Sequence, residues 1–218
     1  MDNKKVKHIC FDLDGTLVDS KNTILESTKA ALDQLNIEYK ISEDVFNNII
    51  GKHFVDIFLE LNINDVDFEQ FISIYKALYF HFIDSSYLYE GVKETLDYLN
   101  KNQIKVSLLT TKGQDQAEKI IDHFNLRKSF NYIMGRRDGL AHKPSPEPLI
   151  VICKDLQVEP AETLFVGDTE LDIQCGKDAG SKTCGVLYGY RTKEQIEKEK
   201  PDYIISQLDE LRKIINAD

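Results

Sequence analysis

The sequence predicts an α/β protein, a Rossmann-like parallel sheet with helices on both faces, interrupted early by an inserted helical domain. Three observations carry this. Residues 6–11 form a near-continuously apolar run, the composition of a central parallel strand buried on both faces. Beyond Gly91, strand-like runs alternate with helical stretches, which implies right-handed crossovers in one parallel sheet. Between these regions the apolar residues recur at helical spacing and no convincing strand appears. The core is therefore assigned to residues 1–18 and 86–218, and the helical insertion to residues 19–85.

The elements follow in order. After the first strand, Ile24, Leu25, Thr28, Ala31, Leu32 and Leu35 make a helical stripe over 22–36. Ser42 can cap a short helix through Val45, Phe46, Ile49 and Ile50, which Gly51 terminates. Phe54, Ile57, Phe58 and Leu61 form another face. Phe68, Phe71, Ile72, Tyr75, Leu78, Tyr79 and Phe82 form a third, and the aromatic-rich stretch of Tyr75, Tyr79, Phe80 and Phe82 reads as packing rather than a ligand box. Strands are then expected at 104–109, 132–134, 163–166, 182–186 and 203–205, with helices at 92–100, 114–124, 147–155, 171–179 and 208–215. Ser145 is a candidate N-cap, with Pro146 at the first helical position.

The 218 residues carry a formal net charge of −10, which argues against nonspecific nucleic-acid binding. No apolar run is long enough to span a bilayer, and the first residues lack the apolar core of a signal peptide. Cys10, Cys153, Cys175 and Cys184 are scattered, as expected of reduced, buried thiols in a cytoplasmic protein. The five histidines show no metal-ligand spacing, and most of them read as surface or packing residues.

Chemistry is expected at the carboxyl ends of the strands, where open parallel sheets bind ligands. The first strand ends in Asp12 and Asp14, followed by Gly15 and Thr16. Carboxylates so close repel, and a hard divalent cation with oxygen ligands relieves that repulsion. The second strand ends in Thr110, Thr111 and Lys112, and the strand at 163–166 ends in Gly167, Asp168 and, further on, Asp172. Lys143 precedes a helix start. Carboxylates, hydroxyls and an ammonium at one sheet edge match a phosphoryl-transfer site.

These motifs, Asp12-Leu13-Asp14-Gly15-Thr16, Thr110, Lys143-Pro144 and Gly167-Asp168 through Asp172, resemble in kind and order those of the haloacid dehalogenase superfamily, in its phosphoglycolate phosphatase and β-phosphoglucomutase branch. The resemblance spans nearly the whole chain, and the helical insertion lies where that branch carries its cap domain. It implies that Asp12 is the nucleophile and that Asp14 is the general acid and base. It also implies that Asp12, the Asp14 backbone carbonyl, Asp168 and Asp172 hold or support Mg²⁺. Thr110 and Lys143 would bind the phosphate, with Thr111 beside them where family members often carry asparagine. Gly51, Lys52 and His53 resemble the branch's cap loop and are candidate substrate contacts. Arg136 and Arg137 could face the site or solvent, with solvent favoured for at least one.

The implied function is a Mg²⁺-dependent phosphatase acting on a small phosphorylated metabolite, as a monomer or homodimer. A phosphosugar mutase is the alternative, but residues 19–23 lack the histidine usual in β-phosphoglucomutases. Haloacid dehalogenation is disfavoured because Asp14 and the acidic fourth motif are kept. A noncatalytic phosphate-ligand binding module would require a lost catalytic group, and none is missing.

Overall fold

The protein is described here by a computed structural model covering residues 5–41, 46, 50–52, 54–63 and 66–217. The chain divides into two compact units, one of Met1–Leu17 with Leu88–Asp218, the other of Val18–Tyr87.

The larger unit begins with β1 (His8–Phe11), all four residues buried. The chain then passes through β2 (Val18–Asp19) into the smaller unit and returns through β3 (Tyr87–Leu88), and these two short strands pair with each other. They flank the insertion and are too short for a period-two pattern to show in the sequence; among the described residues between them there are helices and no strand.

In the smaller unit, α1 (Lys21–Gln34) buries Ile24, Leu25, Ala31 and Leu32 on the expected stripe, and Ser27 and Thr28 return their hydroxyls to the carbonyls of Thr23 and Ile24. After α2 (Phe54–Glu60), α3 (Phe68–His81) starts at Asp67, whose carboxylate accepts from the Gln70 N–H at 3.0 Å. Phe54, Phe58, Phe71 and Tyr75 pack edge to face or stacked, Phe58 and Phe71 with ring centroids 4.7 Å apart. The aromatic stretch is packing, as its spacing indicated. The helix expected through Ser42, Val45 and Ile49 falls on residues outside the described ones.

Back in the larger unit, α4 (Val92–Lys101), β4 (Lys105–Gly113), α5 (Gln114–His123), β5 (Tyr132–Arg136), α6 (Glu147–Leu156), β6 (Thr163–Gly167), α7 (Glu170–Ala179), β7 (Lys182–Val186), α8 (Lys193–Lys198), β8 (Tyr203–Ile205) and α9 (Leu211–Ala217) alternate. The six-stranded sheet has the order β5-β4-β1-β6-β7-β8, and every pairing is parallel. Cys10, Leu109, Met134, Leu149, Ile152, Cys153, Phe165 and Cys175 form a buried apolar cluster.

His8 breaks the apolar run of β1 yet is fully buried, because Nδ1 pairs with Thr163 Oγ1 at 3.0 Å and Nε2 with Ser107 Oγ at 2.8 Å. Each neighbouring strand thus supplies one hydroxyl, which satisfies a polar ring in the core.

Other departures have local causes. The six-residue α8 has one buried apolar residue, Ile196, and is held by a capping box between Thr192 and Gln195, too little for a periodicity to show. The helix expected at 208–215 opens with a tight turn over Leu208–Glu210 before α9. The Ser145 hydroxyl accepts from Glu147 N–H at 3.3 Å, but Pro146, not Ser145, occupies the N-cap of α6. No helix among the described residues is long and apolar enough to cross a membrane.

Candidate active site

Chain order reverses at β1, with β4 and β5 on one side and β6, β7 and β8 on the other. Such a reversal opens a crevice at the carboxyl ends of the strands. Asp12 and Asp14 follow β1 there, Thr110 to Lys112 lie at the end of β4, and Asp168 follows β6.

The turn after β1 is tight. Asp12 N–H donates to Val166 O, continuing the β6 pairing, and Leu17 N–H donates back to Leu13 O. Gly15 sits at φ +85°, and a Cβ there would overlap the Asp168 carboxylate. Glycine is therefore required on both counts, and its bare backbone lets two acidic segments approach.

At the end of β4 the register with β5 shifts. Leu109 faces Met134 and Gly113 faces Arg136, so four steps along β4 match two along β5. Thr110, Thr111 and Lys112 occupy this bulge, a device that redirects side chains. Thr110 is buried and its Oγ1 accepts from Lys112 N–H at 3.3 Å, which leaves the hydroxyl hydrogen to donate elsewhere. The strand expected to stop at residue 109 stops there only as a regular ladder.

Lys143, in a loop before α6, reaches the same point. Its ammonium donates to Asp12 Oδ1 at 2.6 Å and Asp172 Oδ1 at 2.5 Å, with all three side chains buried. Asp172 is itself fixed by Thr169, whose N–H and hydroxyl donate to Oδ2 at 3.0 and 2.7 Å in the first turn of α7. Asp168 accepts from Thr16 Oγ1 at 3.3 Å and from Tyr190 N–H at 2.8 Å. Asp12, Asp168 and Asp172 bring one carboxylate oxygen each within 4.8 Å of one another. Asp14 points to another partner: its Oδ2 lies 2.9 Å from Lys112 Nζ, and both side chains are about nine-tenths buried.

The electrostatics follow. Burial pushes the Asp12 carboxyl up, Lys143 pulls it down, and Asp172 and Asp14 raise it again, to about 7. Burial, then Asp12 and Asp172, hold Asp168 well above the usual carboxylate range, against the Tyr190 N–H and Arg191. Burial works against the Lys143 charge, but Asp12 and Asp172 outweigh it and hold the ammonium above its ordinary value. Donors that are all hard carboxylate oxygens, in a pocket where they repel, suit a small hard dication.

The pattern of the haloacid dehalogenase-like hydrolase family matches residues 9–186. The chain belongs to that family. It is 32% identical over 212 residues to the pyrophosphatase PpaX of Bacillus velezensis, covering 97% of each chain. It is 31% identical over 212 residues to a phosphoglycolate phosphatase of Aquifex aeolicus, covering 95% of this chain and 96% of the relative. A crystal structure titled as a predicted phosphatase from Clostridium acetobutylicum superposes with a TM-score of 0.86 at 25% identity, covering 99% of this chain and all of the other.

The residues singled out from the sequence fall into two groups. Asp12, Asp14, Thr110, Lys143, Asp168 and Asp172 all lie in the larger unit, linked through the contacts above, with half-buried Thr111 in the same bulge. Gly51 and Lys52 lie in the smaller unit, where Lys52 Nζ pairs with Glu60 Oε1 at 2.7 Å; His53 lies outside the described residues. Arg137 is exposed and donates to Gln114 Oε1 and Ile133 O, while Arg136 is half-buried. Sequence reasoning missed Lys112 as a partner of Asp14, and it missed Thr16 and Tyr190 as donors to Asp168. Lys112 stood in plain view beside Thr110, whereas a backbone N–H such as that of Tyr190 leaves no mark in a sequence.

Proposed function

We propose that the protein is a Mg²⁺-dependent phosphatase that hydrolyses a small phosphorylated metabolite through an aspartyl-phosphate intermediate. One observation carries this. Four buried carboxyl groups, Asp12, Asp14, Asp168 and Asp172, face only two ammonium groups, Lys112 and Lys143, so full ionisation of the cluster leaves two negative charges that a divalent cation would balance.

Asp12, Asp168 and the Asp14 carbonyl would hold the ion, with Asp172 in support. When bound, Mg²⁺ supplies positive charge to the phosphoryl oxygens and favours the ionised form of Asp12. The free Asp12 oxygen attacks phosphorus, the bond to the leaving oxygen breaks, and Asp14 gives that oxygen its proton. Asp14 then takes a proton from the water that attacks the aspartyl phosphate, releasing inorganic phosphate and restoring Asp12. Thr110 and Lys143 donate to the phosphoryl oxygens as charge builds on them. Pyrophosphate and phosphoglycolate head the substrate candidates because they name the relatives. The inserted helical unit takes the role of a cap domain, with Gly51, Lys52 and His53 as its substrate contacts. The four buried free cysteines suit a reducing, cytoplasmic setting.

The test is phosphate release from a panel of phosphorylated metabolites, with and without Mg²⁺. Release is expected only with Mg²⁺, and Asp12→Asn, with the fold retained, is expected to lower it by at least a thousandfold. A near-parental rate in that variant would refute the nucleophile. Conversion of β-glucose 1-phosphate with a bisphosphate primer into glucose 6-phosphate, rather than free phosphate, would make the enzyme a mutase.

A further inference from the structure

The loop after β7 meets the acidic cluster at three consecutive residues. Tyr188 donates its hydroxyl to Thr16 O at 3.0 Å, in the turn that carries Asp14 and Gly15. At Gly189 a Cβ would overlap the Asp168 side chain and the Gly15 carbonyl oxygen, so the absent side chain is what lets loop and turn close around Asp168. Tyr190 N–H donates to Asp168 Oδ2 at 2.8 Å, opposite the Thr16 hydroxyl on Oδ1.

The loop is itself held at several points. Leu187 N–H donates to Ile205 O, tying the loop to β8. The Tyr188 ring packs on Tyr89 with centroids 4.7 Å apart, and Tyr89 N–H donates to Leu17 O, beside Thr16. Arg191 is buried and grips Glu170 through Nε at 2.7 Å and Nη2 at 3.1 Å, two residues beyond Asp168. A short segment is thus braced on both sides of one carboxylate, and both oxygens of that carboxylate have defined donors.

We infer that Tyr188, Gly189 and Tyr190 form a positioning clamp that fixes the Asp168 carboxylate for cation binding, so that metal affinity is set in part by a loop outside the acidic motifs. The inference rests on the metal-dependent reading above. Buried metal carboxylates need outer partners to hold their orientation, and losing one such partner typically costs 10- to 100-fold in metal affinity. A loop that merely closed the sheet edge would affect stability alone.

The test is calorimetric titration of Mg²⁺ into the folded protein without substrate, paired with turnover measured against Mg²⁺ concentration. Gly189→Ala, whose methyl would overlap Asp168, is expected to weaken Mg²⁺ binding roughly tenfold or more, and Tyr188→Phe, which removes the hydroxyl that ties the loop to Thr16 O, by less than about tenfold but measurably. In both, the loss of turnover at limiting Mg²⁺ should shrink as Mg²⁺ is raised. If Gly189→Ala does not fold, Tyr188→Phe decides alone. Parental Mg²⁺ affinity in folded variants, or a turnover loss that excess Mg²⁺ leaves unchanged, would overturn the clamp while leaving the phosphatase reading intact. No Mg²⁺ binding by the parent protein would overturn the metal assignment and the clamp with it.

Discussion

In the proposed reaction Asp12 would have to be buried, to act away from bulk water, and ionised, to act as a nucleophile, and these demands oppose each other. Desolvation together with Asp172 and Asp14 raises its carboxyl to about 7 even with Lys143 2.6 Å away. The sign is that of an acid whose charged form is disfavoured in the fold, so a proton stays on Asp12 to higher pH than on a free aspartate. A cation binding there competes with that proton. Mg²⁺ affinity should therefore strengthen as pH rises through 7. For a single group titrating near 7, the ionised fraction differs about tenfold between pH 6 and pH 8, and the apparent dissociation constant should differ by about as much. Calorimetry at several pH values, with the proton release counted, checks this; an affinity flat across the range would mean that Asp12 does not bind the ion. Lys112 beside Asp14 illustrates what a sequence conceals at this scale. The type of residue was visible, but the bulge that aims its ammonium at Asp14 was not.

Among the elements, β1 bears the most. It is one of the two central strands, it delivers Asp12 and Asp14, and its polar residue His8 links both neighbours through Ser107 and Thr163. Burial, and then the Lys105 charge, lower the His8 pKa from 6.5 to about 3. The folded state thus prefers neutral His8. Its contribution is fully present above the unfolded value of 6.5 and is lost as pH falls toward 3. At pH 5 the loss relative to pH 7 should be about 2 kcal/mol. Urea denaturation at both pH values should show that part of the slope disappearing in His8→Gln; an unchanged slope would place the acid sensitivity elsewhere. The long elements were legible because β1, β4, β6 and the helices between them bury whole faces and so impose a period on the sequence. The two-residue strands β2 and β3 and the six-residue α8 bury too little to do so, and are held by pairing and capping instead.

In the molecule as a whole, acidic and basic groups from four distant segments converge because the sheet order reverses at β1, with β4 on one side and β6 on the other. The α/β class, the six strands and the acidic motifs could be read from the sequence, since strand ends in a parallel sheet share an edge. The loop at 188–190 could not, because the Tyr188 hydroxyl meets a backbone carbonyl, that of Thr16, and the contacts with Asp168 are made by a missing side chain and a backbone N–H. This convergence is offered as the means by which Asp12 carries the phosphoryl group, and that claim can be tested chemically. Borohydride quenching during turnover with Mg²⁺ reduces an aspartyl phosphate to homoserine, which peptide mass spectrometry locates in the chain. The account predicts homoserine at position 12, dependent on both substrate and Mg²⁺; homoserine at another aspartate, with position 12 unmodified during active turnover, would contradict it.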